Sequence, residues 1–266
     1  MKNFLKYAQY YNVLYKEKDY KKEVDYVSHL IKCYAGNNKK TLLDIGCGTG
    51  RHAIEFTNKG YETAGIDKSA EMIKIARTTA EAKEKKIKFY LCDSARFNLN
   101  RKFDIVVSLF HVMSYQTTNE LVLNTIKNAY RHLNNNGMFI FDFWYGPAVI
   151  IQKPSVRIKE FNDKEVLIKR TAVPKMNFND NTVDICYKIE IRNKKNNSIK
   201  VFTEHHIMRY FFLPELYLML ETAGFRVVKC LKWMSLKESV SQNSWNGVII
   251  AKKITFSNNH QRFSVV

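Results

Sequence analysis

The sequence predicts an α/β fold, a mostly parallel sheet with an inserted antiparallel β subdomain. Three observations predict it. Over residues 40–145, short apolar runs alternate with amphipathic segments, the pattern of βαβ units with right-handed crossovers. Over residues 155–211 the apolar period changes to two. Val183-Asp184-Ile185-Cys186-Tyr187-Lys188-Ile189-Glu190-Ile191 is the clearest run, and such alternation marks a sheet with one wet face. From residue 212 the α/β alternation resumes.

The elements follow in order. Residues 1–38 read as helical, because Tyr7, Tyr10, Tyr11, Leu14 and Tyr15, then Val24, Val27, Leu30 and Ile31, recur at helical spacing. Gly36-Asn37-Asn38 ends that region with turn residues. Thr41 to Ile45 is a short buried strand. The helix after it runs to Lys59 and stops at Gly60. Tyr61 to Ile66 is the second strand, followed by a helix that Ser69 caps, with Met72, Ile73, Ile75 and Ala76 inward. Ile87–Leu91 and Phe103–Leu109 are the third and fourth strands. A helix from Thr117 to Leu133 ends at Asn134-Asn135-Asn136-Gly137, and Met138–Phe143 is the fifth strand. Four antiparallel strands then form a meander, with turns at Asn162-Asp163, Asn179-Asp180-Asn181 and Lys194-Lys195-Asn196-Asn197. Leu213-Pro214-Glu215 opens a helix stopped by Gly224, and Phe225–Trp233 and Gly247–Ile254 are the last two strands. The organisation is therefore an N-terminal helical segment (1–38), an α/β core (39–150 and 212–256), a β insertion (151–211) and a polar tail (257–266), expected to be flexible.

Composition narrows the class. The chain has 266 residues, 45% hydrophobic and 26% charged, enough to bury a core. No run approaches the roughly 20 apolar residues of a membrane-spanning helix, and the N-terminus lacks a signal-peptide pattern. A soluble, cytoplasmic protein is expected, with no membrane partner. The five cysteines, at 33, 47, 92, 186 and 230, are odd in number and never within three residues of each other. They are expected to be buried free thiols rather than a disulfide framework or a metal site. The net charge of +18 suits nucleic acid or an anionic substrate, but its distribution matters. Residues 41–150 carry 14 bases and 11 acids, whereas residues 151–266 carry 20 and 10. The excess flanks the core, and no zinc-finger or RNP-type pattern accompanies it.

The chemistry is concentrated at the first strand-to-helix turn, Asp44-Ile45-Gly46-Cys47-Gly48-Thr49-Gly50. Glycines there let a backbone approach a ligand, and the following helix N-terminus favours negative groups. The spacing is GxGxG rather than the dinucleotide GxGxxG, and Asp44 would repel a pyrophosphate. A carboxylate at that place suits the ammonium, or its water shell, of S-adenosylmethionine. Asp67 closes the second strand 17 residues after Gly50 and can accept from both hydroxyls of a ribose. Asp93 follows the third strand and can accept from an adenine amino group. Ser94 and Leu109, at the ends of the third and fourth strands, complete the candidate cofactor set.

On these residues the segment 40–145 resembles the class I S-adenosylmethionine-dependent methyltransferases. The resemblance implies a Rossmann-like seven-stranded sheet, completed by the last two strand candidates, and S-adenosylmethionine as cofactor. Three further features are similar to small-molecule members that include amino-sugar N-methyltransferases: Tyr11-Asn12-Val13-Leu14-Tyr15 with Lys18-Asp19-Tyr20, the β insertion after the fifth strand, and Phe202-Thr203-Glu204-His205-His206. The resemblance implies that residues 1–38 cap the cofactor, that Tyr11, Tyr15 and Tyr20 form an aromatic lid whose faces suit a sulfonium, and that the insertion binds the acceptor or a second copy of the chain in a homodimer. Such relatives place a histidine base after the fourth strand. Tyr115 aligns there, and His111 stands four residues earlier.

Methyl transfer from a sulfonium is an in-line displacement, so the protein mainly aligns the acceptor and excludes water. An amine acceptor must be neutral, and a hydroxyl benefits from a base. Candidates are Phe110, His111, Ser114 and Tyr115, with His111 better matched in intrinsic pKa than a tyrosine. His205 and His206 are neighbours on a strand and point to opposite faces, so at most one faces the substrate. Phe143, Trp144 and Tyr145 are candidates for the acceptor pocket or for plain core. The expected acceptor is a small molecule such as a nucleotide-linked amino sugar, whose phosphates would account for part of the positive charge. The alternatives are a nucleic-acid methyltransferase and a non-catalytic cofactor-binding module. The first lacks the Asn/Asp-Pro-Pro-Tyr/Phe signature after the fourth strand and any Pro-Cys pair.

Overall fold

The computed structural model describes residues 10–11 and 13–254, which join eleven strands into one continuous sheet. The core uses β1 (Thr41–Ile45), β2 (Glu62–Asp67), β3 (Lys88–Leu91), β4 (Phe103–Ser108), β5 (Leu133–Tyr145), β10 (Phe225–Lys232) and β11 (Asn246–Lys253). They lie in the order β3-β2-β1-β4-β5-β11-β10. The first five are parallel, and β11 is antiparallel to both its neighbours. The insertion is a meander of β6 (Arg157–Asn162), β7 (Val166–Asn177), β8 (Thr182–Asn193) and β9 (Ile199–Phe211), its turns at the three polar clusters. It joins the core where Trp144 and Tyr145, at the end of β5, pair in parallel with Tyr210 and Phe211.

Burial on both faces explains why the core strands read as continuous apolar runs. On one face Leu43, Val106 and Phe139 pack with Val122, Ile126 and Ala129 of α4 (Asn119–Arg131) and with Leu216 and Leu220 of α6 (Leu213–Thr222). On the other, Leu42, Ile105, Val107 and Ile140 pack against Val24, Val27, Leu30 and Ile31 of α1 (Tyr20–Ala35) and against Phe56 of α2 (Arg51–Asn58). Adjacent residues of one strand thus serve opposite layers, as period two requires. The caps are as the residue types predict. Asp19 accepts from Lys22 N at 2.8 Å, Ser69 caps α3 (Ala70–Ala82) by accepting from Met72 N at 3.3 Å, and Thr118 accepts from Leu121 N at 3.2 Å.

Several expectations need correction. The N-terminal helical region is not continuous: helical residues at 10–11 and 13–14 are separated from α1 by a turn over 15–17, and Asp19 restarts the helix. Tyr7 and the polar tail lie outside the described residues. Asn134–Gly137 does not stand apart from the sheet. It opens β5 as an irregularity in which pairing jumps from Phe103↔Leu133 to Ile105↔Met138, with Asn136 left-handed at φ 58°. A further helix, α5 (Gly146–Gln152), follows β5 where no helix was expected; Pro147 sits in its first turn, where its missing N–H costs nothing. All five cysteines are free, but only Cys47 is buried and Cys33 is exposed. No helix among the described residues is long and apolar enough to cross a membrane.

Candidate functional site

A cavity of about 450 Å³ lies over the carboxyl ends of β1, β2 and β4, where an open parallel sheet leaves its crevice. Three parts of the chain enclose it: the strand-end turns below, Tyr11, Tyr15 and Tyr20 from the N-terminal segment, and Arg157, Lys159, Arg170 and Tyr187 from the insertion.

The glycine turn forms the floor. Gly46 and Cys47 both donate to the carbonyl of Ile66, at 2.8 and 2.9 Å, which ties the turn to β2. Gly46 has φ 72°, and a β-carbon there would lie 2.5 Å from the methyls of Val112, so no other residue fits. Asp67 braces the turn from the next strand. Its Oδ2 accepts from Gly48 N and its Oδ1 from Ser69 N, both at 2.9 Å, and the carboxyl lines the cavity. Burial pushes the Asp67 carboxyl upward, against the pull of those two backbone donors.

Most of the sequence-derived cofactor candidates meet here. Tyr11, Tyr15, Tyr20, Gly46, Gly48, Asp67, Asp93, Ser94 and Leu109 all line the cavity. Asp44 and Gly50 do not, which corrects their expected direct contact. Asp44 is 1% exposed, its Oδ2 has no hydrogen-bond partner, and burial beside Asp67 pushes its carboxyl up to about 8. It sits beneath the turn, where burial favours its protonated form. Gly50 begins α2 in a left-handed conformation, and a β-carbon would meet Phe89 at 2.9 Å; it serves packing between the turn and β3.

The N-terminal tyrosines are held by side chains that spacing alone did not reveal. Arg51 stacks 4.2 Å above the Tyr20 ring and donates to the Tyr15 carbonyl at 3.1 Å. Lys18 pairs with Glu23 and lies 4.1 Å over Phe110, while His52 Nε2 is 2.7 Å from the other oxygen of Glu23. Arg170 donates to the Tyr15 hydroxyl at 3.3 Å and lies 5.1 Å from the Tyr187 ring centre, so Tyr15 and the insertion touch.

Past β4 the backbone is strained. Phe110 and His111 are consecutive non-glycine residues with φ of 66° and 63°, each costing about 1–3 kcal/mol unless held. Asp142, 1% exposed on β5, does the holding. It accepts from His111 N at 3.0 Å, and its Oδ2 lies 2.7 Å from His111 Nδ1. Both His111 and Tyr115 line the cavity, so His111 is not a histidine packed beneath the helix. Ser114 is buried behind them, its Oγ accepting from Trp144 N at 3.4 Å. Of the three aromatic residues after Asp142, Trp144 lines the cavity, whereas Phe143 and Tyr145 belong to the core.

His206 lies outside the wall itself. It points inward from β9, is 4% exposed, and its Nδ1 is 2.8 Å from the Tyr115 hydroxyl. Its Nε2 faces Glu204 Oε2 at 3.4 Å. His205 points outward and meets Asp184 at 3.0 Å, as the alternation of a strand requires. Glu204, Asp142 and the three insertion cations were not singled out from the sequence. Period two on β9 places Glu204 on the face of His206, and that signal was present.

Comparison with known proteins agrees with this geometry. Residues 42–137 match the family described as a methyltransferase domain. The chain is 30% identical over 143 residues to the dTDP-3-amino-3,4,6-trideoxy-α-D-glucopyranose N,N-dimethyltransferase of Streptomyces venezuelae, covering 53% of this chain and 58% of that protein. It is 27% identical over 188 residues to the dTDP-4-amino-2,3,4,6-tetradeoxy-D-glucose N,N-dimethyltransferase of Saccharopolyspora spinosa, covering 70% and 72%. The chain thus spans little more than half the length of the Streptomyces relative. Among solved structures, Streptomyces venezuelae DesVI superposes with a TM-score of 0.79 at 22% identity, covering 94% of this chain and 98% of that one. The sugar N-methyltransferase KedS8 from Streptoalloteichus superposes with a TM-score of 0.78 at 18% identity, covering 92% and 93%. Residues 42–137 thus match a methyltransferase domain, and the chain has the fold of solved S-adenosylmethionine-dependent methyltransferases.

Proposed function

We propose that the chain transfers a methyl group from S-adenosylmethionine to a small-molecule acceptor, an amino sugar carried on a nucleotide. The observation that carries this is one cavity lined by two unlike sets of residues. One set is the backbone of Gly46 and Gly48, the Asp67 carboxyl, Asp93 and the tyrosine faces; the other, from the insertion, is Arg157, Lys159 and Arg170. The first set fits the cofactor. A carboxylate with spare lone pairs suits ribose hydroxyls, bare backbone permits close approach, and aromatic faces attract a sulfonium. The cofactor supplies an activated methyl on a good leaving group.

The second set fits an acceptor bearing negative charge. Guanidinium groups recognise phosphate through paired donors, and three cations beside one cavity mark an anionic ligand. Both dTDP-amino-sugar methyltransferases that the chain resembles are named for acceptors of that class. The chain's own residues then hold the acceptor nitrogen in line with the methyl, keep water out with Tyr11, Tyr15 and Tyr20, and receive the proton that the nitrogen loses.

The test is incubation of the purified chain with methyl-labelled S-adenosylmethionine and, separately, a dTDP-linked amino sugar and bulk tRNA. Label is expected in the sugar nucleotide. Label in tRNA alone would replace this function with nucleic-acid methylation, and absence of any calorimetric binding to S-adenosylmethionine would remove methyl transfer altogether.

A further inference from the structure

We propose that Tyr115, Glu204 and His206 form a proton relay, in which the Tyr115 hydroxyl meets the acceptor and the two buried groups behind it receive the proton. This rests on the methyl-transfer function proposed above. Tyr115 is the cavity-facing member, on the 3₁₀ turn Met113–Tyr115 after β4. Behind it, His206 Nδ1 is 2.8 Å away, and His206 Nε2 is 3.4 Å from Glu204 Oε2. Glu204 and His206 are alternate residues of β9 on one face, 6% and 4% exposed. An imidazole and a carboxylate so deeply buried are costly to keep unless they are paired, and here the pairing leads in one line away from the cavity.

The arrangement answers a chemical difficulty. A tyrosine is a poor base, and burial holds the Tyr115 phenol well above its ordinary range, so free phenolate does not accumulate. The phenol can still pass a proton through. As the acceptor ammonium gives its proton to the Tyr115 oxygen, the phenolic proton moves to His206 Nδ1. Tyrosine is unchanged, His206 becomes imidazolium, and its Nε2–H donates to the Glu204 carboxylate. The nitrogen lone pair now free forms the bond to the methyl carbon, the carbon–sulfur bond breaks, and its electron pair stays on sulfur. The proton leaves by the reverse path after product departs. Tyr115 is the catalytic residue in this scheme; His206 and Glu204 act through it. The other titratable or charged groups around the relay are Tyr15 from the lid, Asp67 from β2, Arg170 from β7 and Tyr187 from β8, whose ring centre is 5.0 Å from that of His206.

The relay requires one tautomer, with the hydrogen of neutral His206 on Nε2 and Nδ1 accepting from the phenol. Nitrogen NMR of the full chain labelled at histidine reads this without any acceptor. The expected result is an Nε2–H tautomer for His206, an Nδ1 signal that moves in Tyr115→Phe, and an Nε2 signal that moves in Glu204→Gln. A hydrogen on Nδ1, or a His206 signal indifferent to Tyr115→Phe, would overturn the relay. Calorimetry with S-adenosylmethionine on the same sample separates the two failures: intact cofactor binding with the wrong tautomer sinks the relay alone. With a dTDP-linked amino sugar as acceptor, His206→Gln is expected to lower kcat roughly 100-fold and abolish the acid limb of the pH profile, with KM for S-adenosylmethionine unchanged within about twofold. A retained acid limb that disappears instead in His111→Ala would assign the base to His111 and end the proposal.

Discussion

Burial and the neighbouring Asp67 displace the ionisation of Asp44 up to about 8. The unfolded chain ionises Asp44 near pH 4. Its contribution to stability is therefore complete below about pH 4 and is lost as pH rises through 8. The upward displacement of Asp67 adds in the same direction. Asp44→Asn keeps the shape and removes the titration. In urea unfolding without cofactor, wild type is expected to lose stability relative to Asp44→Asn between pH 5 and 8, with a limiting slope of about 1.4 kcal/mol per pH unit. Parallel profiles for the two proteins would mean that Asp44 is ionised in the fold. Asp67 has a different task, facing the cavity while holding Gly48 and Ser69. Asp67→Ala is expected to weaken S-adenosylmethionine binding at least about tenfold in calorimetry, the loss of one or two hydrogen bonds to a charged acceptor. Unchanged affinity would take the ribose away from this residue.

Among elements, the turn after β1 and the insertion β6–β9 carry separate halves of the site. At Gly46 a side chain meets both a left-handed backbone and the methyls of Val112 at 2.5 Å. Gly46→Ala is expected to cost about 2–4 kcal/mol, from the left-handed conformation and overpacking together, and to lower the melting temperature by several degrees. A melting temperature within a degree of wild type would show that the turn relaxes freely. The insertion brings Arg157 and Lys159 to the wall of the cavity. The double variant Arg157→Ala, Lys159→Ala is expected to raise KM for a dTDP-linked amino sugar about tenfold or more while leaving S-adenosylmethionine affinity alone. A rise in the cofactor dissociation constant instead would place these cations against the cofactor. Because Arg170 touches both Tyr15 and Tyr187, a variant there moves lid and acceptor wall together and separates the two halves poorly.

For the molecule as a whole, a charge of +18 attracts any polyanion, whatever the site does. Since residues 41–150 carry only 14 bases against 11 acids and the cavity admits a small ligand, tRNA is expected to bind weakly and without sequence preference, losing most of its affinity between 50 and 200 mM salt. Fluorescence anisotropy at the two salt concentrations checks this, and tight, selective binding at the higher one would favour a nucleic-acid substrate. The joined sheet gives the charge a further use. Since β9 runs in parallel beside the end of β5, the basic insertion is fixed against the carboxyl end of the core rather than tethered loosely to it.

The sequence by itself determined the order of the strands and helices, because a strand buried on both faces and a strand wet on one leave different periods in the chain. It also determined the glycine turn and the acids at successive strand ends, because those depend on residues near one another in sequence. It missed α5, where a helix start with Pro147 follows directly on an apolar strand. Only the tertiary structure decided which candidates touch a ligand. Asp44 and Asp67 look alike as strand-end acids, yet one is covered by the turn and the other faces the cavity. Likewise Asp142 beside His111, and Glu204 behind His206 and Tyr115, are contacts between β4, its following turn, β5 and β9, segments 30 to 90 residues apart. Period and spacing record which face a residue takes within its own element. Which faces meet is set when the layers pack, and the chemistry of this site lies at that meeting.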